Sequence, residues 1–268
     1  MTKPFIPLAF LALLASAVPA SAAPLRQPVG KWVVDYGETL CSATRTYGDP
    51  AKPLTLSFRP SPGGTVVRLA LGRSGNAGPP HHFPVQVNGK AIGASGLRFE
   101  PAGKGRRHIL WIDFERSDLD LIAAAGEIAV AGEGLDERFA LPGFAKVLAA
   151  LDTCNADLRS HWNADEAGEA RIAEKAASVK PIASYVSDDD YPPQALMERA
   201  GGTTAFVLMI DAAGNAADCM VEQTSGIATL DVMSCAIFLE RAKFRPALGP
   251  DGKPVRSLLS SKITWRVR

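Results

Sequence analysis

The sequence predicts an α+β fold in two parts: a mostly antiparallel β domain that ends in a helix, then a smaller helix-strand-strand-helix-strand module. Three observations carry this expectation. From Lys31 to Phe114, short runs rich in β-branched and aromatic residues are separated by Gly, Pro and Asn turns. From Phe144 to Trp162, apolar residues recur at helical spacing. From Tyr191 to the end, helix and strand signals alternate over a stretch just long enough for one small domain.

The first residues set the compartment. Lys3 supplies one positive charge, Phe5 to Ala17 is an apolar run interrupted by Pro7, and Ala20-Ser21-Ala22 has the small-x-small form of a cleavage site. Residues 1–22 are therefore expected to be a signal peptide cleaved after Ala22, with retention as a membrane anchor as the alternative. A spanning helix needs about 20 apolar residues, and Pro7 and Pro19 both fall inside this stretch. The segment contains only Lys3 among charged residues, so its removal leaves 28 basic against 28 acidic side chains. That balance gives no support to nucleic-acid or general polyanion binding.

Four cysteines in an exported chain read as disulfides. Three connectivities are open, and spacing favours Cys41 with Cys154 and Cys219 with Cys235, one pair in each domain; four buried thiols are the alternative.

The first domain is expected over residues 23–162. Its strand signals are Lys31 to Tyr36, Leu54 to Phe58, Thr65 to Leu71, Phe83 to Val87, Gly96 to Phe99 and His108 to Phe114. Ser61-Pro62-Gly63-Gly64 reads as a turn, and Asn88-Gly89 as a hairpin turn, because both central residues tolerate positive φ. Pro142-Gly143 opens a helix over Phe144 to Trp162 with Val147, Leu148, Leu151, Cys154 and Leu158 on one side. A Cys41–Cys154 bridge would clamp the ends of this domain. In the chain-entropy account a loop of that length contributes about 4 to 5 kcal/mol.

Residues 163–190 are expected to be a linker, with an exposed helix over Ala164 to Ala177, a break at Lys180-Pro181 and an acidic run from Ser187 to Asp190. The second domain, 191–268, opens with Pro192-Pro193 at the first turn of a helix that runs to the Gly201-Gly202 stop. Thr203 to Asp211 follows as a strand, with Thr204, Phe206, Leu208 and Ile210 on one face and Ala205, Val207 and Met209 on the other. Both faces are apolar, which predicts a central, covered strand. After the Asp211 to Gly214 turn, Ala216 to Thr224 is a second strand. Thr229 is expected to cap a helix from Leu230 to Arg241 that faces the sheet with Val232, Cys235, Ala236 and Leu239. Val255 to Val267 is the third strand, with Leu259, Ile263, Trp265 and Val267 on one face.

Strand directions constrain the order. A tight turn makes the first two strands antiparallel, whereas a helical crossover returns the third parallel to the second. An all-antiparallel sheet therefore places the first strand in the middle and the third at an edge. An edge with unpaired backbone groups invites addition of an extended peptide.

The punctuation of this module, Tyr191-Pro192-Pro193, Gly201-Gly202, Asp211 to Gly214, Ser225-Gly226, Leu230-Asp231, Phe244-Arg245-Pro246 and Gly252-Lys253-Pro254-Val255, resembles the C-terminal domain of TonB-family proteins. The resemblance covers under a third of the chain. It implies a periplasmic binding module, not an enzyme, that pairs its last strand with a segment of an outer-membrane transporter or another envelope partner. On this sequence the pairing residues would be Lys262, Ile263, Thr264, Trp265 and Arg266. Cell-wall glycan and a second copy of the chain are the other partners considered. The family's energy transducers keep an N-terminal anchor with a Ser and a His and a long Pro-rich spacer. Residues 5–22 here contain no His, and a folded domain fills the intervening space.

An enzyme with its site in the first domain is the rival class. His81-His82 is the obvious metal candidate, but adjacent side chains rarely converge on one ion, and the flanking prolines suggest an exposed loop. His108 follows a basic turn, Gly103 to Arg107, and His161 reads as a helix-end cation. Asp113 with Glu115, or Asp118 with Asp120, has the i, i+2 spacing of an exposed strand face. No Gly-x-Ser-x-Gly elbow, phosphate loop or His-Glu-x-x-His helix occurs, and neither cofactor nor metal is expected. After Glu240 eight basic residues face Asp251 alone, a pattern that either guards an edge strand or steers an acidic peptide or glycan to it.

Overall fold

A computed structural model describes residues 23–64, 66–74, 81–99, 107–132 and 134–267. The expected signal peptide and most of the basic turn at 103–107 lie outside the described residues. Among the described residues no helix is long and apolar enough to cross a membrane.

The chain is α+β, with mostly antiparallel sheets and few helices. The N-terminal half comprises β1 (Leu25–Arg26), β2 (Pro28–Tyr36), β3 (Cys41–Tyr47), β4 (Leu54–Pro60), β5 (Val66–Ser74), β6 (His81–Val87), β7 (Lys90–Phe99), β8 (Arg107–Glu115), α1 (Arg116–Ala125), β9 (Glu127–Gly132), β10 (Leu135–Ala140) and α2 (Phe144–His161). The strands form one ten-stranded sheet in the order β1-β10-β9-β6-β7-β8-β5-β4-β3-β2. β1 and β2 stand at opposite ends of that order yet are separated in the chain only by Gln27. One extended segment thus pairs with β10 through Leu25 and Arg26 and with β3 through Pro28 and Val29. The sheet closes on itself at this seam. The Tyr47 hydroxyl, donating across it to the Ala140 carbonyl at 2.9 Å, ties β3 to β10 directly.

Period-two burial builds the wall of this sheet. Leu54, Leu56, Phe58 and Pro60 point inward along β4, and Phe83, Val85 and Val87 along β6. Asn88 (φ 50°) and Gly89 (φ 74°) make the turn into β7, both in the left-handed region that a two-residue hairpin needs. α2 fills the interior with Phe144, Leu148, Leu151, Cys154 and Leu158, while Val147 is only partly buried. Phe144 lies 4.6 Å from Phe58 and 5.3 Å from Trp32, centroid to centroid. Cys154 is bonded to Cys41 of β3, with the two Cα atoms 6.0 Å apart.

Several local expectations are corrected. Strands β3, β9 and β10 fall outside the expected strand signals: Cys41-Ser42-Ala43-Thr44 and the Ala-containing run of β9 lack bulky alternation, and β10 carries three consecutive charged residues, Asp136 to Arg138. Asp118 and Asp120 lie on α1, not on a strand; Leu119 and Ile122 are its buried side, and Gly126 (φ 67°) ends it. His81 and His82 open strand β6, not an exposed loop, because Phe83 is buried and anchors the segment.

The C-terminal half comprises α3 (Glu166–Glu169), β11 (Ala177–Ser178), single 3₁₀ turns at Ile182–Tyr185 and Asp188–Asp190, α4 (Pro193–Met197), β12 (Gly202–Ile210), β13 (Ala216–Gln223), α5 (Ala228–Arg241), β14 (Phe244–Arg245), β15 (Ala247–Leu248), β16 (Pro254–Val255) and β17 (Ser257–Trp265). Helix in the segment 163–177 is confined to α3, where the Asp165 carboxylate accepts from the Gly168 N–H. Ala173 and Glu174 then donate to Leu248, and β11 pairs with β14. This stretch is thus bonded to the C-terminal half instead of running as an exposed helix.

The main sheet has the order β13-β12-β17, both pairings antiparallel, as strand directions required. α5 covers one face, and Cys235 on it is bonded to Cys219 of β13. Its buried residues are Ala228, Leu230, Asp231, Ser234, Ile237 and Phe238, whereas Leu239 is 42% exposed. The expected stripe is rotated, because Ser234 and Asp231 are buried as hydrogen-bonding groups. Ile227, not Thr229, is the N-cap.

Candidate partner-binding edge

β12 explains why β17 is an edge and why the two halves are joined. Its Phe206, Leu208 and Ile210 pack under α5, while Met209 on the opposite face enters the core of the N-terminal half. The second apolar face is therefore covered by the first half of the chain. Leu258 of β17 joins the same core, partly buried.

Polar groups complete this joint. Arg68 of β5 makes two hydrogen bonds to Asp113, its direct cross-strand partner on β8, both at 2.7 Å, and donates to the Val221 carbonyl of β13 at 2.9 Å. The guanidinium also lies 4.5 Å from the centroid of Trp111. Arg59 faces Asp218 of β13; burial pushes the Arg59 guanidinium down, with Asp218 opposing and Arg68 reinforcing that shift. Burial also pushes the Asp218 carboxyl up, against the Cys219 N–H, Arg59, Thr39 and Arg68.

A second cluster centres on Asp231, whose side chain is 3% exposed. Its Oδ1 accepts from Thr204 and from the Ser225 N–H, each at 2.8 Å, and its Oδ2 accepts from Thr224 and lies 3.1 Å from His82 Nε2. Burial pushes this carboxyl up, but the bonds from His82, Thr224, Ser225 and Thr204 outweigh it and hold it below the ordinary range. His82 is thus a clasp between β6 and α5. At the far end of the joint, Asn163 donates to the Arg256 carbonyl, and Arg256 meets His161 at the end of α2.

The five expected contact residues divide by parity. Ile263 and Trp265 are 6% and 3% exposed and point toward α5. Trp265 donates its indole N–H to Ser234 at 3.0 Å and stacks edge-on with Tyr191 at 5.5 Å. Their side chains anchor the strand, leaving only backbone for a partner. Lys262, Thr264 and Arg266 are exposed. Thr264 shares a hydroxyl hydrogen bond with Thr203 of β12 at 2.9 Å. Among the described residues β17 pairs with β12 alone, and its other side has no strand neighbour.

The other candidates are dispersed. Asp113 serves Arg68, and Asp120 with Asp152 serves Arg116. Among the described residues no group of three or more His, Cys, Asp or Glu side chains is arranged to hold a metal ion. The joint went unseen in sequence reasoning; its one signal was Arg68, a charge inside the apolar run Val66-Val67-Arg68-Leu69-Ala70-Leu71.

A search of curated proteins returns no match to this chain. Residues 188–267 match the family model of the Gram-negative bacterial TonB protein C-terminal region, so this part of the chain is a TonB C-terminal domain, of a family associated with transport in the cell envelope.

Proposed function

We propose that this protein is a periplasmic binding module that captures an extended segment of an outer-membrane transporter, or of another envelope partner, as an added strand along Lys262–Arg266, the end of β17 and the residue that follows it. The observation that supports it best is the unpaired side of β17 in a molecule whose larger sheet closes on itself. An added strand forms main-chain hydrogen bonds with β17 and takes its specificity from alternate side chains.

Photocrosslinking from Lys262 and Thr264 in intact cells tests this reading. Adducts with an outer-membrane protein are expected from these exposed positions, and adducts formed only from control positions on β2 or α1 would remove it. Proline placed at Lys262 and, separately, at Ile263 provides a second test. Successive residues of a strand direct their N–H groups to opposite sides, so one of the two variants deletes an outward donor and should lose the adduct while still melting cooperatively. Intact-mass analysis checks export: loss of about 2 kDa is expected when residues 1–22 are removed. A full-length mass would favour an anchored transducer.

A further inference from the structure

The exposed parity of β17 and its continuation carries charge that no described residue balances with an ion pair. Lys262 and Arg266 lie four residues apart on one face, both exposed, with Thr264 between them. Among the described residues neither has an ion-pair partner. Across the ladder Lys262 is opposite Ala205, which is itself opposite Gln223 on β13, and Thr264 is opposite Thr203. Arg266 lies just past the last pair, Gly202 with Trp265. The inner neighbours are small or neutral. The lateral position still open to a counter-charge is the outer one, where an added strand would run.

The opposite parity sets a second requirement. Ile263 and Trp265 are buried toward α5, and Ile182 and Tyr185, partly buried, pack against the same cluster. A strand laid beside β17 would direct alternate side chains to the rim of this apolar cover. Toward its start, β17 sits against the N-terminal half through Leu258 and the Arg256 contacts. The free stretch is therefore the end that carries the two cations.

We propose, on the strand-addition reading above, that the captured segment is an acidic extended peptide in a fixed register: carboxylates four residues apart opposite Lys262 and Arg266, with apolar residues at the intervening positions facing the Ile263 and Trp265 side. Opposite charges directly across a ladder are stabilising and like charges are destabilising. The same rule disfavours a second copy of this chain as occupant. A two-fold antiparallel pairing centred on Thr264 sets Lys262 of one copy opposite Arg266 of the other. The charges also draw an acidic segment in from solution, an effect that salt weakens.

Fluorescence anisotropy with the chain from Ala23 to Arg268, which contains every described element, tests the inference. The probes are labelled nine-residue peptides of alternating Val and Thr with two Glu four positions apart, and versions with Gln or Lys in place of Glu. The Glu peptide is expected to bind about two- to thirtyfold more tightly than the Gln peptide at low salt, with the gap narrowing at high salt. The Lys262→Glu, Arg266→Glu double variant, altered only at exposed positions, should reverse the order and favour the Lys peptide. An unchanged thermal melt for that variant shows that the fold is kept. Equal affinities for the Glu and Gln peptides, with binding of both lost in a proline variant at Lys262 or Ile263, would overturn the acidic register and leave strand addition standing. If no peptide binds and photocrosslinks at Lys262 and Thr264 are also absent, strand addition itself fails. Soluble peptidoglycan fragments that displace the Glu peptide, or a concentration-dependent dimer that the peptide dissociates, would each overturn the peptide as occupant.

Discussion

In the ten-stranded sheet the first and last strands of the order, β1 and β2, are neighbours in the chain, so one extended segment bonds to β10 on one side and to β3 on the other. The three-stranded sheet ends instead at β13 and β17. β13 is held by the Cys219–Cys235 bridge to α5 and by Arg68 at the Val221 carbonyl. β17 is held toward its start, where Leu258 enters the core of the N-terminal half and Arg256 meets the end of α2, and it also touches the 3₁₀ turn at Ile182–Tyr185. A sheet closed in this way presents, among the described residues, no free edge strand at either end of its order. Among the described residues neither β13 nor β17 has a second strand neighbour, but Arg68 engages the outer strand β13, and the closed sheet covers the second face of β12.

The contrast can be broken from its strongest element downward. Replacing Cys41 and Cys154 with Ser removes a closure spanning 113 residues and should destabilise the protein by about 4 to 5 kcal/mol. The equivalent change at Cys219 and Cys235, 16 residues apart, should cost about 3 kcal/mol. Denaturant midpoints of the two double variants check that ranking, and a reversed order would show that the smaller sheet relies more on its staple than the closed sheet does.

Asp231→Ala leaves the groups of Thr204, Thr224 and Ser225 without their common acceptor, and a loss of about 3 kcal/mol is expected in chemical denaturation. Met209→Ala empties the contact of β12 with the first core and should cost about 2 kcal/mol. If the joint unites the halves, each variant lowers the stability of both, visible as hydrogen exchange quickening on β5 and on β12 alike.

Acid separates two carboxylates of the joint. The folded-state pKa of Asp218 is raised, so its charge opposes folding at neutral pH, and stability should rise as pH falls through that pKa toward the ordinary value of about 4. The Asp231 pKa is depressed, so its contribution is complete above the unfolded value and is lost as pH drops through the folded one. Stability followed from pH 7 to pH 2 should first climb and then fall. Asp218→Asn should remove its share of the climb, the remainder belonging to Glu222, which burial also pushes up, and Asp231→Asn the part of the fall that belongs to this cluster. The smallest effect belongs to the open edge: Lys262→Ser should change stability by less than about 0.5 kcal/mol, measurable as an unchanged melting temperature.

Legibility in the sequence followed periodicity. Leu54-Thr55-Leu56-Ser57-Phe58 alternates, and it is a half-buried strand. Asn88-Gly89 announced its turn. Cys41-Ser42-Ala43-Thr44-Arg45-Thr46-Tyr47 is a strand without a pattern, buried at Cys41 to Ala43 and at Tyr47, since the surrounding closed sheet hides even Ser42. On α5 the expected face, Val232, Cys235, Ala236 and Leu239, left out the buried polar groups Ser234 and Asp231. Ser234 accepts from Trp265 and Asp231 from Thr204 and Thr224, contacts that a helical wheel does not contain. Of the expected contact residues, Lys262, Thr264 and Arg266 are exposed, whereas Ile263 and Trp265 serve the core with their side chains.

By itself the sequence determined the helix-strand-strand-helix-strand order of the last domain, the two apolar faces of β12 and, through strand direction, the placing of β17 at an edge. These follow from local alternation, turn chemistry and chain connectivity, which are written in neighbouring residues. Tertiary structure alone decided what covers the second face of β12, which stretch of β17 stays open and why Asp231 is ionised in a buried site. Those depend on groups such as His82 and Asp231, 149 residues apart, or Arg68 and Val221, 153 apart. Burial and charge pairing are set by distance in space, and no pattern within one segment encodes the residues that another segment brings to it.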